Sequence, residues 1–263
     1  MSLDGPTSAY ARAAVDRLRR LLGDGLLGVY LLGSGSMGGF DPRMSDVDLA
    51  AVVTKTLSRE QKRAVVRGLS HPALPCPVRK LELVMYGAEA VRGRSPSLGW
   101  ELNLNTGPEV GVDASLDPPK EAGHWFVLDV AIARQHARPL FGPPPRTVFG
   151  EIDEDRVLRA LIGSIRWHRR RDPQGIQSVL NACRAWRWSE EGTWAPKPAA
   201  ARWARARAHD TTAIDAAIAA REDDGSSPLD GEAVERFVTD IERRLEGARR
   251  EVEWSRSASS GRT

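Results

Sequence analysis

The sequence predicts an α+β chain in which a small mixed sheet with flanking helices comes first and an all-α helical bundle follows. Three observations lead there. Short apolar runs at 26–32, 46–53 and 79–86, bounded by glycine, proline or charged turns, read as strands of a small sheet. The run Pro143-Pro144-Pro145 marks a boundary. Beyond it strand signals nearly vanish, and 153–171, 174–190, 196–208 and 230–254 all carry helical periodicity. The expected domains are therefore 1–145 and 146–263.

The elements follow in order. Residues 8–22 place Ala11, Val15, Leu18 and Leu22 on one helical face. The strand at 26–32 runs into Gly33-Ser34-Gly35-Ser36-Met37-Gly38-Gly39, which is too rich in glycine for either regular element and suits close backbone approach by a ligand. The strand at 46–53 precedes a charged helix at 58–69. Pro72, Pro75 and Pro77 then break the chain before the strand at 79–86. Residues 87–122 read as short strands or an extended cover, with Leu102-Asn103-Leu104-Asn105 alternating, and 125–137 reads as a helix. The polar ending Ser-Arg-Ser-Ala-Ser-Ser-Gly-Arg-Thr, 255–263, is expected to be disordered.

Composition narrows the function classes. Hydrophobic residues make up 41% and charged residues 28% of the 263, as in a globular domain rather than a membrane or disordered chain. Thirty-eight Lys and Arg against 35 Asp and Glu leave a net charge of +3, too small to indicate a nucleic-acid binder. No apolar run is long enough to span a membrane, and the first twenty residues lack the apolar core of a secretion signal, so a cytoplasmic location is expected. Cys76 and Cys183 have no paired spacing and read as buried free thiols. The five histidines show no metal-ligand spacing.

The chemistry is carried by carboxylates. Asp46 and Asp48 are two apart at a predicted strand entry, so both side chains point to one face. Two such charges repel unless a counter-charge is present, and Mg2+ supplies one, sharing its remaining positions with substrate phosphates. Upstream lie an apolar strand and Gly33-Ser34, separated from the Asp-x-Asp pair by eleven residues. Backbone N–H groups and the hydroxyls of Ser34 and Ser36 can meet phosphates there. Glu82 interrupts the apolar run Leu81-Glu82-Leu83-Val84-Met85, where a charge is expensive unless paired or bound to metal. It reads as a third metal ligand, as the base that takes the acceptor's proton, or as an edge-strand residue turned to water.

At Gly33-Ser34 and Ser45-Asp46-Val47-Asp48 the sequence resembles the DNA polymerase β-type nucleotidyltransferase superfamily. The stretch 179–186, Val-Leu-Asn-Ala-Cys-Arg-Ala-Trp, with Ala195-Pro196-Lys197 and Ala201-Arg202-Trp203-Ala204, is similar to the C-terminal helical domain of aminoglycoside 3″-adenylyltransferases, the streptomycin/spectinomycin adenylyltransferases. The resemblance covers most of residues 20–205. It implies an N-terminal nucleotidyltransferase domain and transfer of AMP from ATP to a hydroxyl of an aminoglycoside-type antibiotic, with release of pyrophosphate. It further implies two Mg2+ ions on Asp46 and Asp48, Glu82 as catalytic base, and Gly33, Ser34 and Ser45 against the ATP phosphates. Arg184 and Lys197 match basic residues that reach ATP across the interdomain cleft in that family.

Alternatives remain at this point. The same chemistry on another small molecule, a protein or a nucleic acid is one, with Arg166 and Arg169–Arg171 its best support; a retired nucleotide-binding relative is another. The basic segment Trp167-His168-Arg169-Arg170-Arg171 stands where the resemblance implies acidic residues. Facing the cleft it would repel a polycationic substrate; facing solvent it would not. Glu101, Glu109 and Asp113 are further candidates for contacts to substrate amines. A monomer is expected, with no membrane or nucleic-acid partner.

Overall fold

The computed structural model describes residues 3–93, 99–117, 123–223 and 228–260. It divides into two compact units, Met1–Glu151 and Ile152–Thr263.

The first unit opens with α1 (Gly5–Leu22), capped by the Asp4 carboxylate, which accepts the Thr7 N–H at 2.8 Å. Its face of Tyr10, Ala11, Ala14, Val15, Leu18 and Leu22 is buried, as the periodicity predicts. Strand β1 (Leu26–Leu31) leads into α2 (Gly33–Met37), so the glycine-rich segment is not a loop throughout but closes into a short helical turn. Strand β2 (Val47–Val53) follows, then α3 (Arg59–Leu69), whose Ser58 and Gln61 form a reciprocal capping box. Strand β3 (Leu81–Gly87) runs parallel to β2, because α3 carries the chain back across the sheet.

After α4 (Ala88–Val91) come β4 (Trp100–Gly107) and β5 (Gly111–Ser115), an antiparallel hairpin in the region that the sequence left between strand and cover. Helix α5 (His124–His136) precedes a strand the sequence did not signal, β6 (Arg138–Phe141), which pairs with β1. Among the described residues the sheet order is β5-β4-β3-β2-β1-β6, mixed as expected. One face presents Val47, Leu49, Ala51, Val53, Leu81, Leu83, Met85, Leu102 and Leu104 to a core shared with α1 and α3. The alternate residues occupy the other face.

Helix α6 (Pro145–Val148) still belongs to this unit, so the division falls after 151 rather than at 145. The triple proline turns the chain without ending the packing. Phe149 stacks edge-on against Tyr30 with centroids 5.0 Å apart, and the Gly150 N–H donates to the Val91 carbonyl at 2.8 Å.

The second unit is all-helical: α7 (Glu154–Arg171), α8 (Ile176–Glu191), α9 (Lys197–Arg205), α10 (Thr212–Asp223) and α11 (Gly231–Ser260). Its tryptophans are mostly packing residues. Trp188 and Trp194 are buried with centroids 5.4 Å apart, and Trp186 meets Trp203 edge-on at 5.2 Å. Helix α11 continues to Ser260, which corrects the disorder expected from 255. The Arg256 guanidinium pairs with Asp153, the N-cap of α7, and gives that turn a tertiary partner; residues 261–263 lie outside the described set.

Both cysteines are buried free thiols, and no described helix is long and apolar enough to cross a membrane.

A carboxylate cluster as the candidate active site

The site grows from the register of two central strands. Asp48 on β2 and Glu82 on β3 are direct partners in the parallel pair. Since Val47 and Leu49 enter the core, Asp46 and Asp48 are left on the opposite face, where Glu82 also lies. Strand β3 sits between β2 and β4, so the edge-strand reading of Glu82 is excluded. The same row continues across β4 and β5, with Glu82 opposite Asn105 and Asn105 opposite Asp113.

Gly33 closes the site from the β1 side. The Leu32 N–H donates to the Asp48 carbonyl at 2.9 Å, and Gly33 follows with φ +55°. A Cβ at Gly33 would lie 1.8 Å from Asp48 Oδ2, so only glycine permits this approach. Ser34 sits in the first turn of α2, and its carbonyl accepts from Gly38 and Gly39 at 3.2 and 3.1 Å. The Ser45 hydroxyl accepts the Asp41 N–H at 3.0 Å while its own N–H donates to the Asp41 carbonyl at 2.7 Å. Ser45 thus closes the turn that delivers Asp46 and Asp48.

Electrostatics make this a place for a cation. Burial raises the Asp48 carboxyl well above the usual carboxylate range, and the negative charges of Glu82, Asp46 and Asp129 push it further, as does a hydrogen bond with Glu82. Among the described residues no three His, Cys, Asp or Glu side chains form a ready-made metal cage. Mg2+ is bound through one or two carboxylates and completes its shell with water and substrate phosphate oxygens. The Asp46–Asp48 pair, two carboxylates on one face beside the Gly33 turn, offers oxygen donors of the kind such an ion takes.

Two participants escaped the sequence reading. Lys80 lies inside the cluster: its ammonium donates to Glu82 Oε1 and lies 3.8 Å from Asp46 Oδ2 and 3.4 Å from Asn105 Oδ1. A lysine at the entry of the strand expected at 79–86 gives no signal of its own. Asp129 on α5 faces the cluster and accepts the Tyr86 hydroxyl at 3.2 Å. Its signal was present, since a lone acid in Val127-Leu128-Asp129-Val130 is the pattern that singled out Glu82.

On the second unit, Gln177, Asn181 and Arg184 share one face of α8 by helical spacing. Lys197 donates to Gln177 Oε1 at 2.6 Å, and Asn181 meets the His168 ring at 2.7 Å. Arg166 and Arg169 have partners within this unit, while Arg170 and Arg171 are exposed. Arg166 contacts Glu242 and Glu246 at 2.5 and 2.6 Å, and Arg169 contacts Glu242 at 2.9 Å. Arg171 lies over the Trp167 ring at 5.9 Å. Of the acidic candidates, Glu101 is buried with Lys62 at 3.0 Å and Glu109 pairs with Arg79 at 3.2 Å, so both have structural partners, while Asp113 is exposed.

Residues 147–244 match the family described as aminoglycoside adenylyltransferase, C-terminal domain. The chain is also similar to the crystal structure of spectinomycin adenyltransferase AAD(9) from Enterococcus faecialis with ATP and spectinomycin. That likeness has a TM-score of 0.69 and 18% identity, over 91% of this chain and 99% of that one, and it concerns the fold. The helical unit thus matches the C-terminal domain of aminoglycoside adenylyltransferases, and the chain shares the fold of the spectinomycin adenyltransferase.

Proposed function

We propose that this protein transfers AMP from ATP to a hydroxyl of an aminoglycoside-type antibiotic of the streptomycin or spectinomycin kind. The observation that carries the reading is the pairing of Asp48 with Glu82 beside Gly33, in a chain whose helical unit matches the aminoglycoside adenylyltransferase domain.

Asp46 and Asp48 would hold the Mg2+ ions. When bound, these neutralise the charge developing on the attacking and departing oxygens. Glu82 accepts the proton of the acceptor hydroxyl. That oxygen then attacks the α-phosphorus of ATP in line, the bond to the bridging oxygen breaks, and pyrophosphate leaves. Gly33 and Ser34 offer backbone and hydroxyl donors to the phosphates, with Ser45 bracing the turn. On the helical unit, Arg184 and Lys197 are proposed to bind ATP phosphates; Arg184→Ala or Lys197→Ala should raise the KM for ATP and leave that for the acceptor in place. Asn105 and Asp113, continuing the row from Glu82, present an amide and a carboxylate to the acceptor's hydroxyl and amine groups.

A nucleic-acid acceptor loses support, because Arg166 and Arg169 are held by α11 glutamates. The test is pyrophosphate release with ATP, Mg2+ and a panel of aminoglycosides and spectinomycin, with mass spectrometry of the product. Antibiotic heavier by one AMP is expected. Release with none of the panel, but with some other acceptor, would remove the antibiotic assignment.

A further inference from the structure

A lysine inside a carboxylate cluster is an unusual tenant when the cluster's task is to hold metal. Lys80 directly precedes β3 and lies two residues before Glu82, which puts both side chains on the site face. Its ammonium touches Glu82 and stands 3.8 Å from Asp46 Oδ2, with the Asn105 amide oxygen at 3.4 Å as a third acceptor. The side chain is only 20% exposed.

Its backbone is fixed as well. The Lys80 carbonyl accepts the N–H of Val47, the residue between the two aspartates, at 2.9 Å. On the other side β4 crosses at Gly107, where a Cβ would lie 2.6 Å from the Lys80 Cα and 2.2 Å from the Arg79 carbonyl oxygen.

We propose that Lys80 is a resident counter-cation, which neutralises the Asp46–Glu82 side of the cluster before metal arrives and competes with the incoming divalent cation for that position. The inference rests on Asp46 and Asp48 being the metal ligands. A cation entering at Asp46 meets a fixed positive charge of the same sign a few ångströms away, so the ammonium must swing off Asp46 for the metal to bind fully. The lysine thereby stabilises the empty site and weakens the loaded one, and metal is retained only together with the phosphates that complete its shell.

The test measures Mn2+ binding to the full chain by the electron paramagnetic resonance signal of the free ion, with a non-hydrolysable ATP analogue present. It is paired with the thermal midpoint in chelator. Lys80→Met and Lys80→Gln, the latter keeping a donor toward Glu82, should bind Mn2+ roughly five- to tenfold more tightly, on the scale of one partly exposed ion pair. They should also melt earlier without metal, and Mn2+ should close the gap. Lys80→Arg should bind as the wild type does. Unchanged or weaker Mn2+ binding in both neutral variants overturns the counter-cation role and leaves the metal site standing. Failure of the wild type to bind Mn2+ at all removes the assignment of Asp46 and Asp48, and the lysine's role with it.

Discussion

Gly33 and Asp48 share a space that admits no methyl group: a Cβ on the glycine would stand 1.8 Å from the aspartate's Oδ2. The positive φ of Gly33 adds a second restriction at the same atom. Gly33→Ala should therefore displace the Asp48 carboxylate as well as strain the turn. We expect a stability loss of about 1–3 kcal/mol in urea titration, and a fall in turnover of about a hundredfold or more from misplacement of a reacting group. An alanine variant with wild-type turnover would show that the close approach is incidental.

The raised Asp48 carboxyl gives stability a definite pH dependence. In the metal-free native state this group keeps its proton at pH values where the unfolded chain, near the ordinary aspartate value of 3.8, has released it. The unfolded state then binds fewer protons, so stability falls as pH rises from that value through the folded pKa. Chelated protein should lose thermal midpoint over this range, Mg2+ with nucleotide should restore more of it at higher pH, and Asp48→Asn should flatten the chelated profile. The same variant should abolish AMP transfer. A chelated profile as steep in Asp48→Asn as in the wild type would point to another group.

The role proposed for Glu82 is proton transfer rather than binding. Glu82→Gln keeps the size of the side chain and should lower kcat by about a hundred- to ten-thousandfold, with little change in the affinity for ATP. A large change in Mn2+ binding with a modest change in kcat would make it a metal ligand instead.

Lys62 and Glu101 form a buried ion pair between α3 and β4 at 3.0 Å, and the Leu57 N–H also donates to Glu101 at 3.3 Å. Lys62→Met leaves a buried carboxylate without its counter-charge and should cost about 3 kcal/mol or more. Lys62→Met with Glu101→Leu should recover much of that loss, measured as a denaturant midpoint.

Much of this was legible in the sequence because the residues that build it obey short-range rules. The period of two put Asp46 and Asp48 on one face, the apolar run exposed Glu82 as an intruder, and the change of period after the prolines announced the helical unit. What escaped depends on long-range pairing. β6 is only four residues long and is defined by β1, which its own composition does not reveal. Lys80 joins the cluster through strand register, which its neighbours do not encode, while Asp129 carries a local signal as a lone acid in an apolar run and reaches the cluster through helix packing. The division between units moved from 145 to 151 because Phe149 and Gly150 find partners far upstream.

The clasp of Arg166 and Arg169 on Glu242 has a consequence for how this sequence can diverge. One carboxylate, only 11% exposed, serves two guanidiniums from the neighbouring helix. Losing Glu242 would leave Arg166 with Glu246 and Arg169 with the longer 3.7 Å contact to Glu235, and replacing one arginine would leave the other to hold the carboxylate. Helices α7 and α11 should therefore exchange these residues in concert, and Arg166 and Arg169, so conspicuous in the linear sequence, belong to the frame of the helical unit.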